Sequence, residues 1–210
     1  MKEAIQTLLT SDKMAHAFEY LKQDEAHTID QQIELVQISS FSPFEEKRAI
    51  RFKELLTEAG LDPVMDEVHN VYAHIHGTGN GPTLYVSAHL DTVFPPETPL
   101  PVKREGTKIY APGIGDDTRG LAEILTLARA IKESGLKPVG DINVGEEGLG
   151  DLRGMRHFFS QNTDKVDGFI SVDGAGCLIC HGGTGSHRYE VTFRGPGGHS
   201  FGAFGLVNPI

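Results

Sequence analysis

The sequence is poor in cysteine, in basic residues and in long apolar runs, and it contains no tryptophan. Its 210 residues include 2 cysteines and 19 Lys and Arg against 29 Asp and Glu, for a formal net charge of -10. This shortage of positive charge argues against nucleic acid or an anionic membrane as a partner, because both require a basic surface. No segment approaches the ~20 apolar residues of a transmembrane helix, and the N-terminal residues lack the apolar stretch of a signal peptide. These absences predict a soluble cytoplasmic protein.

The two cysteines fall in one short motif, in which Cys177, Cys180 and His181 spell C-x-x-C-H. This spacing occurs at haem c attachment sites and at redox-active pairs. Haem attachment requires export, for which there is no signal, and a redox pair lies at a helix N-terminus, whereas this segment has the composition of a strand. A zinc knuckle would need a second pair. We therefore interpret both cysteines as small buried thiols.

Helical and strand patterns alternate along the chain. Residues 11–21, 28–38 and 121–131 carry apolar residues at helical spacing, and Gly135 is the predicted stop of the last of these. Ser42, Pro43 and Glu45 have the pattern of a capping box that opens a further helix ending at Gly60. A short helix is expected after Gly150. Strands are predicted at residues 71–75, 83–88 and 166–172.

This order of elements predicts an α/β fold with a mixed, mostly parallel sheet and helices on both faces. Residues 1–185 would form a first domain. After residue 185 the composition changes, with strand-like alternation at 187–193 followed by a glycine-rich turn. We expect residues 186–210 to begin a second, smaller domain.

Four short acidic blocks carry the functional signal, at residues 88–91, 115–117, 145–148 and 172–174. Carboxylates rarely lie at the buried end of a strand unless a positive charge pairs with them. Apart from Arg119, no basic residue accompanies these blocks. Helix caps and turns also favour Asp and Gly, but four blocks in strand-end contexts favour divalent metal as the compensating charge. Several carboxylates with one imidazole suit two ions better than one.

Spacing within the blocks predicts separate roles for their side chains. His89 and Asp91 share one face of a strand, so His89 would bind metal while Asp91 accepts its other ring N–H. Asp116 follows a glycine-rich turn and is the expected bridge between two ions. In the adjacent Glu146 and Glu147, one side chain would ligate metal and the other would take a proton from water.

Asp173 is expected to supply a terminal ligand to the metal site. The ligand set contains no thiolate, which favours zinc, cobalt or manganese over an iron–sulfur or copper centre. We expect two zinc ions per complete site, with Co²⁺ or Mn²⁺ as possible substitutes.

The same residues resemble the co-catalytic di-zinc metallopeptidases, a family that includes peptidase T, the bacterial glutamate-releasing carboxypeptidases, the aminoacylases, acetylornithine deacetylase and succinyl-diaminopimelate desuccinylase. The resemblance covers most of the chain from about residue 33. The motifs that carry it are His89-Leu90-Asp91-Thr92-Val93, Gly113-Ile114-Gly115-Asp116-Asp117-x-Arg119-Gly120, Gly145-Glu146-Glu147-Gly148, Asp173 and Gly197-Gly198-His199-Ser200.

The resemblance implies a role for each of these residues. His89, Asp116 and Asp173 would hold one ion, while Asp116, Glu147 and a later histidine would hold the other. Glu146 would act as general base and then as acid, with Asp91 supporting His89. The resemblance also makes residues 1–185 the catalytic domain that binds metal, and residues 186–210 the start of a smaller α+β lid or dimerisation domain. From this lid, His199 would stabilise the oxyanion, often in the partner subunit of a dimer. A cis peptide bond between Asp116 and Asp117 is also implied.

Two departures from the family pattern affect these expectations. The last metal ligand of the family is a histidine near the end of a considerably longer chain, and His181 and His187 come too early to match it. The segment before the Glu pair, residues 139–144, is several residues shorter than the corresponding strand in relatives. We therefore expect the chain to be an N-terminal portion of the family's catalytic unit.

The function expected from these motifs is hydrolysis of peptide bonds in short peptides, through a hydroxide that bridges two zinc ions. Residues 111–115 and 148–151 are most similar to peptidase T, which favours an aminopeptidase or tripeptidase. An N-acyl-amino-acid deacylase is the alternative within the family. A catalytically incomplete fragment that only binds metal is the alternative from another class. The expected partner is a peptide or N-acyl amino acid, with a possible homodimer formed through the lid.

Overall fold

The computed structural model describes residues 2–138, 140, 142–147, 152–162, 165–174, 176, 178–182, 189–199 and 201–205, and it leaves the side chains of residues 4 and 143–147 undescribed. The chain divides into two compact units, Met1–Ala175 and Gly176–Ile210.

The first unit contains six described helices and seven described strands. The helices are α1 (Lys2–Leu9), α2 (Asp12–Gln23), α3 (Glu25–Val36), α4 (Glu46–Glu58), α5 (Thr118–Ser134) and α6 (Arg153–Asn162). The strands are β1 (Val64–Met65), β2 (Val71–Ile75), β3 (Leu84–His89), β4 (Lys103–Glu105), β5 (Lys108–Tyr110), β6 (Ile142–Glu147) and β7 (Gly168–Ser171).

Five of the strands form one mixed sheet in the order β1-β2-β6-β3-β7. Strand β3 runs parallel to both β6 and β7, whereas β1 pairs with β2 and β2 pairs with β6 in antiparallel fashion. Strand β6 pairs with β3 over six positions, from Leu84↔Ile142 to His89↔Glu147. The C-terminal ends of the three parallel strands therefore meet at one edge of the sheet, where an open α/β sheet places its functional site.

Strand β3 carries apolar side chains on both of its faces, as a central strand covered on both sides requires. Val86 and Ala88 belong to the main core with residues of α4 and α5 such as Phe52 and Leu125. Tyr85 points to the opposite face and packs with Met155 and Phe158 of α6. The predicted α/β class and the placement of helices on both faces are confirmed.

Helix α5 follows the sequence prediction closely, because its local signals agree with its packing. Leu121, Ile124, Leu125 and Ala128 form the apolar stripe and are all buried. Asp117 caps the N-terminus by accepting a hydrogen bond from the Gly120 N–H, and Gly135 ends the helix in the left-handed conformation with φ of 63°. Glycine is favoured there because it has no Cβ to clash.

The start predicted for the helix that ends at Gly60, with a capping box at Ser42, Pro43 and Glu45, is wrong. Helix α4 begins at Glu46, and its capping residue, Glu45, makes no capping hydrogen bond with its side chain. The Glu45 side chain is only 1% exposed and contacts the Arg153 guanidinium instead, at 3.2 Å. A tertiary ion pair between the buried Glu45 and the partly exposed Arg153 has therefore replaced the local capping box, which would have required Glu45 to turn back towards Ser42.

Two predictions for the region after β7 are also wrong. Residues 189–193 form no strand, and Tyr189, Val191 and Phe193 are exposed. Cys180 is a free, exposed cysteine rather than a buried thiol; Cys177 lies outside the described residues. Alternation forms a strand only where a partner strand exists, and the described part of the second unit contains none. Across the described chain, no helix is long and apolar enough to cross a membrane.

The core packing yields a stability prediction. Leu125 is completely buried, so Leu125→Ala should lower the free energy of unfolding by about 2–5 kcal/mol through lost burial and a residual cavity. The matched control is Leu8→Ala, since Leu8 is 60% exposed on α1 and its truncation should change stability by less than about 1 kcal/mol. Urea denaturation measures both variants. Equal losses would contradict the core assignment.

Candidate metal centre

Three of the sequence-predicted ligands meet at the carboxyl edge of the parallel strands. His89 is the last residue of β3, Asp173 lies two residues beyond β7, and Asp116 lies in the loop before α5. The register Ser87↔Ser171 aligns β3 and β7, so His89 and Asp173 occupy equivalent positions past the last pair. Parallel pairing of distant segments thus brings these side chains together.

The geometry of the three side chains fits a metal ion. One ligand atom from each of His89, Asp116 and Asp173 lies within 4.8 Å of the others. The His89 Nε2 atom is 2.8 Å from Asp116 Oδ1 and 4.0 Å from Asp173 Oδ1. One imidazole and two carboxylates form a donor set that zinc, cobalt and manganese accept. Both carboxylates are more than half exposed, so water or substrate could reach an ion at this position.

The second ring nitrogen of His89 is held from behind by Asp91. His89 Nδ1 lies 3.1 Å from both the Asp91 backbone oxygen and Asp91 Oδ1. Both of these atoms act as acceptors when Asp91 is ionised, so Nδ1 carries a proton. In the neutral ring the Nε2 lone pair then faces the two ligand carboxylates. This is the support that metal-binding histidines usually have.

Asp117 is a site residue that the sequence reasoning did not identify. It is 1% exposed, its Oδ2 accepts the His89 backbone N–H at 3.0 Å, and its Oδ1 accepts the Gly120 N–H at 3.0 Å. It therefore ties the end of β3 to the first turn of α5. The available signal was its position as a helix cap three residues before Gly120. The Asp116–Asp117 peptide bond is cis, as the family resemblance implies.

Gly120 allows α5 to approach the strand that leads to Asp173. A Cβ atom at this position would lie 2.7 Å from the Val172 backbone oxygen and would also collide with the Asp117 carboxylate. The absence of a side chain therefore lets the segments carrying Asp117 and Asp173 pack together. Close approach of backbone is a common reason for glycine at such a position.

Two groups at this edge have strongly raised pKa values. Burial opposes protonation of His89, but its hydrogen bond to Asp91 and the charges of Asp91, Asp117 and Asp116 outweigh that effect and raise its pKa to about 9. Burial raises the pKa of Asp117 to about 7, against the backbone hydrogen bonds from His89 and Gly120. Without a metal ion, protons supply part of the positive charge that the carboxylates require.

The remaining predicted site residues are described less completely. The register aligns Glu147 with His89 and Glu146 with Ala88, although the side chains of both glutamates lie outside the described residues. His199 belongs to the second unit, where its Nδ1 accepts the backbone N–H groups of Phe201 and Gly202, both at 3.3 Å. The structure thus brings together His89, Asp91, Asp116 and Asp173.

Comparison with known proteins identifies the family. The sequence profile described as "Peptidase family M20/M25/M40" matches residues 85–200, which is more than half of the chain. The chain belongs to this family. Membership confirms the resemblance that the motifs indicate and agrees with the ligand residues at the carboxyl edge of the sheet.

Three relatives illustrate the similarity to M20 proteins. Carboxypeptidase G2 from Pseudomonas sp. (strain RS-16) is 30% identical over 138 residues, covering 62% of this chain and 33% of that protein. A Pyrobaculum aerophilum protein with the provisional name LysW-lysine/LysW-ornithine hydrolase is 38% identical over 167 residues, covering 80% of this chain and 47% of its own length. The crystal structure of a tripeptidase from Staphylococcus aureus has 28% identity and a TM-score of 0.57, covering 72% of this chain and 44% of that one. The chain therefore spans about a third to a half of these M20 relatives.

The ligand geometry predicts which carboxylates bind zinc. Asp116→Asn and Asp173→Asn should each weaken zinc binding by at least about tenfold, because each removes a charged oxygen ligand. Asp30→Asn is the matched control, since Asp30 is 74% exposed and contacts Arg104 instead. Isothermal titration calorimetry with zinc measures all three variants. Wild-type affinity in both ligand variants would rule out this site.

The raised pKa of His89 predicts that zinc binding is pH-dependent. Zinc binds the neutral imidazole, so below pH 9 its binding must displace the proton that His89 holds. Affinity should rise by up to about tenfold per pH unit between pH 6 and 8, with at least one proton released per ion. Calorimetry in buffers of different ionisation enthalpy measures this release. Binding without proton release would contradict the protonated state of His89.

Proposed function

We propose that this chain provides the metal centre of a hydrolase that cleaves peptide bonds in short peptides, as an aminopeptidase or tripeptidase. The observation that supports the proposal most strongly is the convergence of His89, Asp116 and Asp173 with Asp91 behind the imidazole. Membership of a peptidase family and 28% identity to a tripeptidase support the choice of substrate.

Each ligand residue has a proposed role in holding metal. His89, Asp116 and Asp173 would hold one ion, and Asp116 and Glu147 would contribute to a second, with Asp116 as the bridge. We propose zinc as the metal, with cobalt or manganese as alternatives that accept the same ligands. Ions bound in this way polarise a substrate carbonyl and lower the pKa of water towards neutrality.

The proton transfers fall to this chain's own side chains. Glu146 would accept the proton of the attacking water and then deliver it to the leaving amine, as a general base and acid. Asp91 would keep His89 oriented throughout the reaction. We propose that His199 donates a hydrogen bond to the oxyanion of the tetrahedral intermediate, an interaction typically worth about 3–4 kcal/mol.

The proposal extends to domain organisation and location. Residues 1–185 would form the catalytic domain, and residues 186–210 would begin a lid through which two copies could form a dimer. The exposed aromatic residues Tyr189, Phe193, Phe201 and Phe204 are consistent with such an interface. The acidic composition fits a cytoplasmic enzyme that binds neither nucleic acid nor membrane.

Two other candidate functions each have a specific observation in their favour. An N-acyl-amino-acid deacylase is favoured by similarity to the Pyrobaculum protein, whose provisional name describes a LysW-lysine hydrolase. A chain that binds metal without turnover is favoured by its span of about a third to a half of its relatives. The same metal-binding alternative is favoured because the described residues bring together ligands for a single ion.

A hydrolysis assay separates these candidates. The zinc-loaded chain should release amino acids from tripeptides, and Glu146→Gln should lower kcat by about 100-fold or more while zinc binding stays unchanged, because only the proton transfer is lost. Glu123→Gln is a control on α5, where Glu123 pairs with Arg119. Liquid chromatography of the products measures the rates.

The substrates that the chain hydrolyses in this assay decide between the peptidase, the deacylase and the metal-binding alternative. Release from N-acetylated amino acids, with no release from tripeptides, would overturn the peptidase proposal in favour of a deacylase. Stoichiometric zinc binding without hydrolysis of either substrate would support the metal-binding alternative.

A further inference from the structure

Arg48, on the first turn of α4, is a buried arginine beneath the metal centre. It is 1% exposed and ranks among the largest fully buried side chains of the described chain. Its Nη1 donates to the Leu90 carbonyl at 2.6 Å, while its Nε and Nη2 donate to the Ile38 carbonyl at 3.1 and 2.6 Å. Leu90 lies between His89 and Asp91, so the guanidinium contacts the backbone that connects them.

The surroundings of Arg48 are unusual for a buried guanidinium. Its guanidinium donates to two neutral carbonyls, although a buried charge ordinarily requires an opposite charge nearby. The opposite charge that acts on it is that of Asp91, which raises the pKa of Arg48 while burial lowers it to about 10. Arg48 therefore remains positively charged at neutral pH.

Asp91 has a matching feature. Its side chain is 2% exposed, and its Oδ1 faces His89. Its Oδ2 is buried and has no hydrogen-bond partner among the described residues. A buried carboxylate that is only partly hydrogen-bonded is costly. The positive charge of Arg48 offsets part of that cost, while Asp91 Oδ1 accepts the His89 Nδ1–H.

Arg48 also cross-links the two segments that flank the site. The Thr92 N–H donates to the Ser40 carbonyl at 2.7 Å, and Phe41 forms a parallel bridge with Thr92. Arg48 joins the same segments through Ile38 and Leu90. The planar guanidinium can hold both carbonyls at once, which a lysine ammonium cannot do with the same geometry.

We propose that Arg48 is a positioning residue for the metal centre: it fixes the Leu90 carbonyl, and through this backbone the position of Asp91, so that Asp91 orients His89 towards the metal. This inference deepens the proposed function and rests on its metal site, but it does not require that the chain hydrolyses peptides. It assigns to Arg48 no contact with substrate or metal.

The test compares Arg48→Met and Arg48→Lys with a matched variant, Arg129→Met. Arg129 is also a buried arginine, but its guanidinium bonds to Asp24, between α2 and α3, and to Gln31 of α3 instead of to the loop that carries Leu90 and Asp91. Zinc affinity by calorimetry, stability by urea denaturation and the His89 Nδ1–H proton resonance by NMR are measured for each protein. Hydrolysis is not needed as a readout.

We expect Arg48→Met to lower zinc affinity about 10- to 100-fold, the range seen when support behind a metal-binding histidine is removed. The Nδ1–H proton should exchange faster with solvent. Arg48→Lys should retain the charge and fold, yet still lose several-fold in zinc affinity. Arg129→Met should lose stability while its zinc affinity stays within about twofold of the wild type.

Three results would overturn the proposal. The first is a folded Arg48→Met with wild-type zinc affinity and an unchanged Nδ1–H resonance. The second is an Arg129→Met with the same loss of affinity, which would indicate a general effect of stability. The third result applies if Arg48→Met does not fold: it is an Arg48→Lys variant that binds zinc with wild-type affinity. A wild-type chain that binds zinc without hydrolysing peptides would refute the proposed function alone.

Discussion

Negative charge accumulates at the carboxyl edge of the parallel strands, and nearby positive charge has to offset it. Asp91, Asp116, Asp117 and Asp173 all lie within reach of His89 or its backbone. Arg48 supplies a fixed positive charge on the buried side of this edge. His89 and Asp117 have raised pKa values, so each holds a proton to a higher pH than usual. A divalent ion bound by His89, Asp116 and Asp173 would replace the His89 proton at the exposed side of the cluster. The balance between carboxylates and positive charge therefore connects the fold with the proposed metal site and with the predicted pH dependence of zinc binding.

The fold enforces this concentration of charge through a few specific contacts. Parallel pairing of β3 with β7 aligns His89 and Asp173. Asp117 then fastens the end of β3 to α5, and Gly120 lets α5 approach the Val172 backbone closely. Arg48 joins the loop after β3 to the loop before α4. The ligands are therefore held by contacts that join β3, β7, α4 and α5 at this edge of the sheet.

The sequence predicted those parts of the molecule whose signals are local. Helix α5 was correct because its apolar spacing, its end at Gly135 and its packing all agree. His89, Asp116 and Asp173 were each predicted as metal ligands from their positions after a strand or before a helix, and the family resemblance implied that they share one ion. Arg48, Asp117 and Glu45 were missed or misassigned because their roles depend on contacts with residues far away in the chain. The strand expected at residues 187–193 was wrong because alternation does not specify a partner strand.

The central claim is that distant segments of this chain form one binding site for a divalent ion. A crystal of the chain grown with zinc, with anomalous diffraction data collected at the zinc edge, tests that claim most directly. We predict an anomalous peak about 2.0–2.2 Å from His89 Nε2 and from carboxylate oxygens of Asp116 and Asp173. A fully zinc-loaded crystal with no peak between these three side chains would contradict the account.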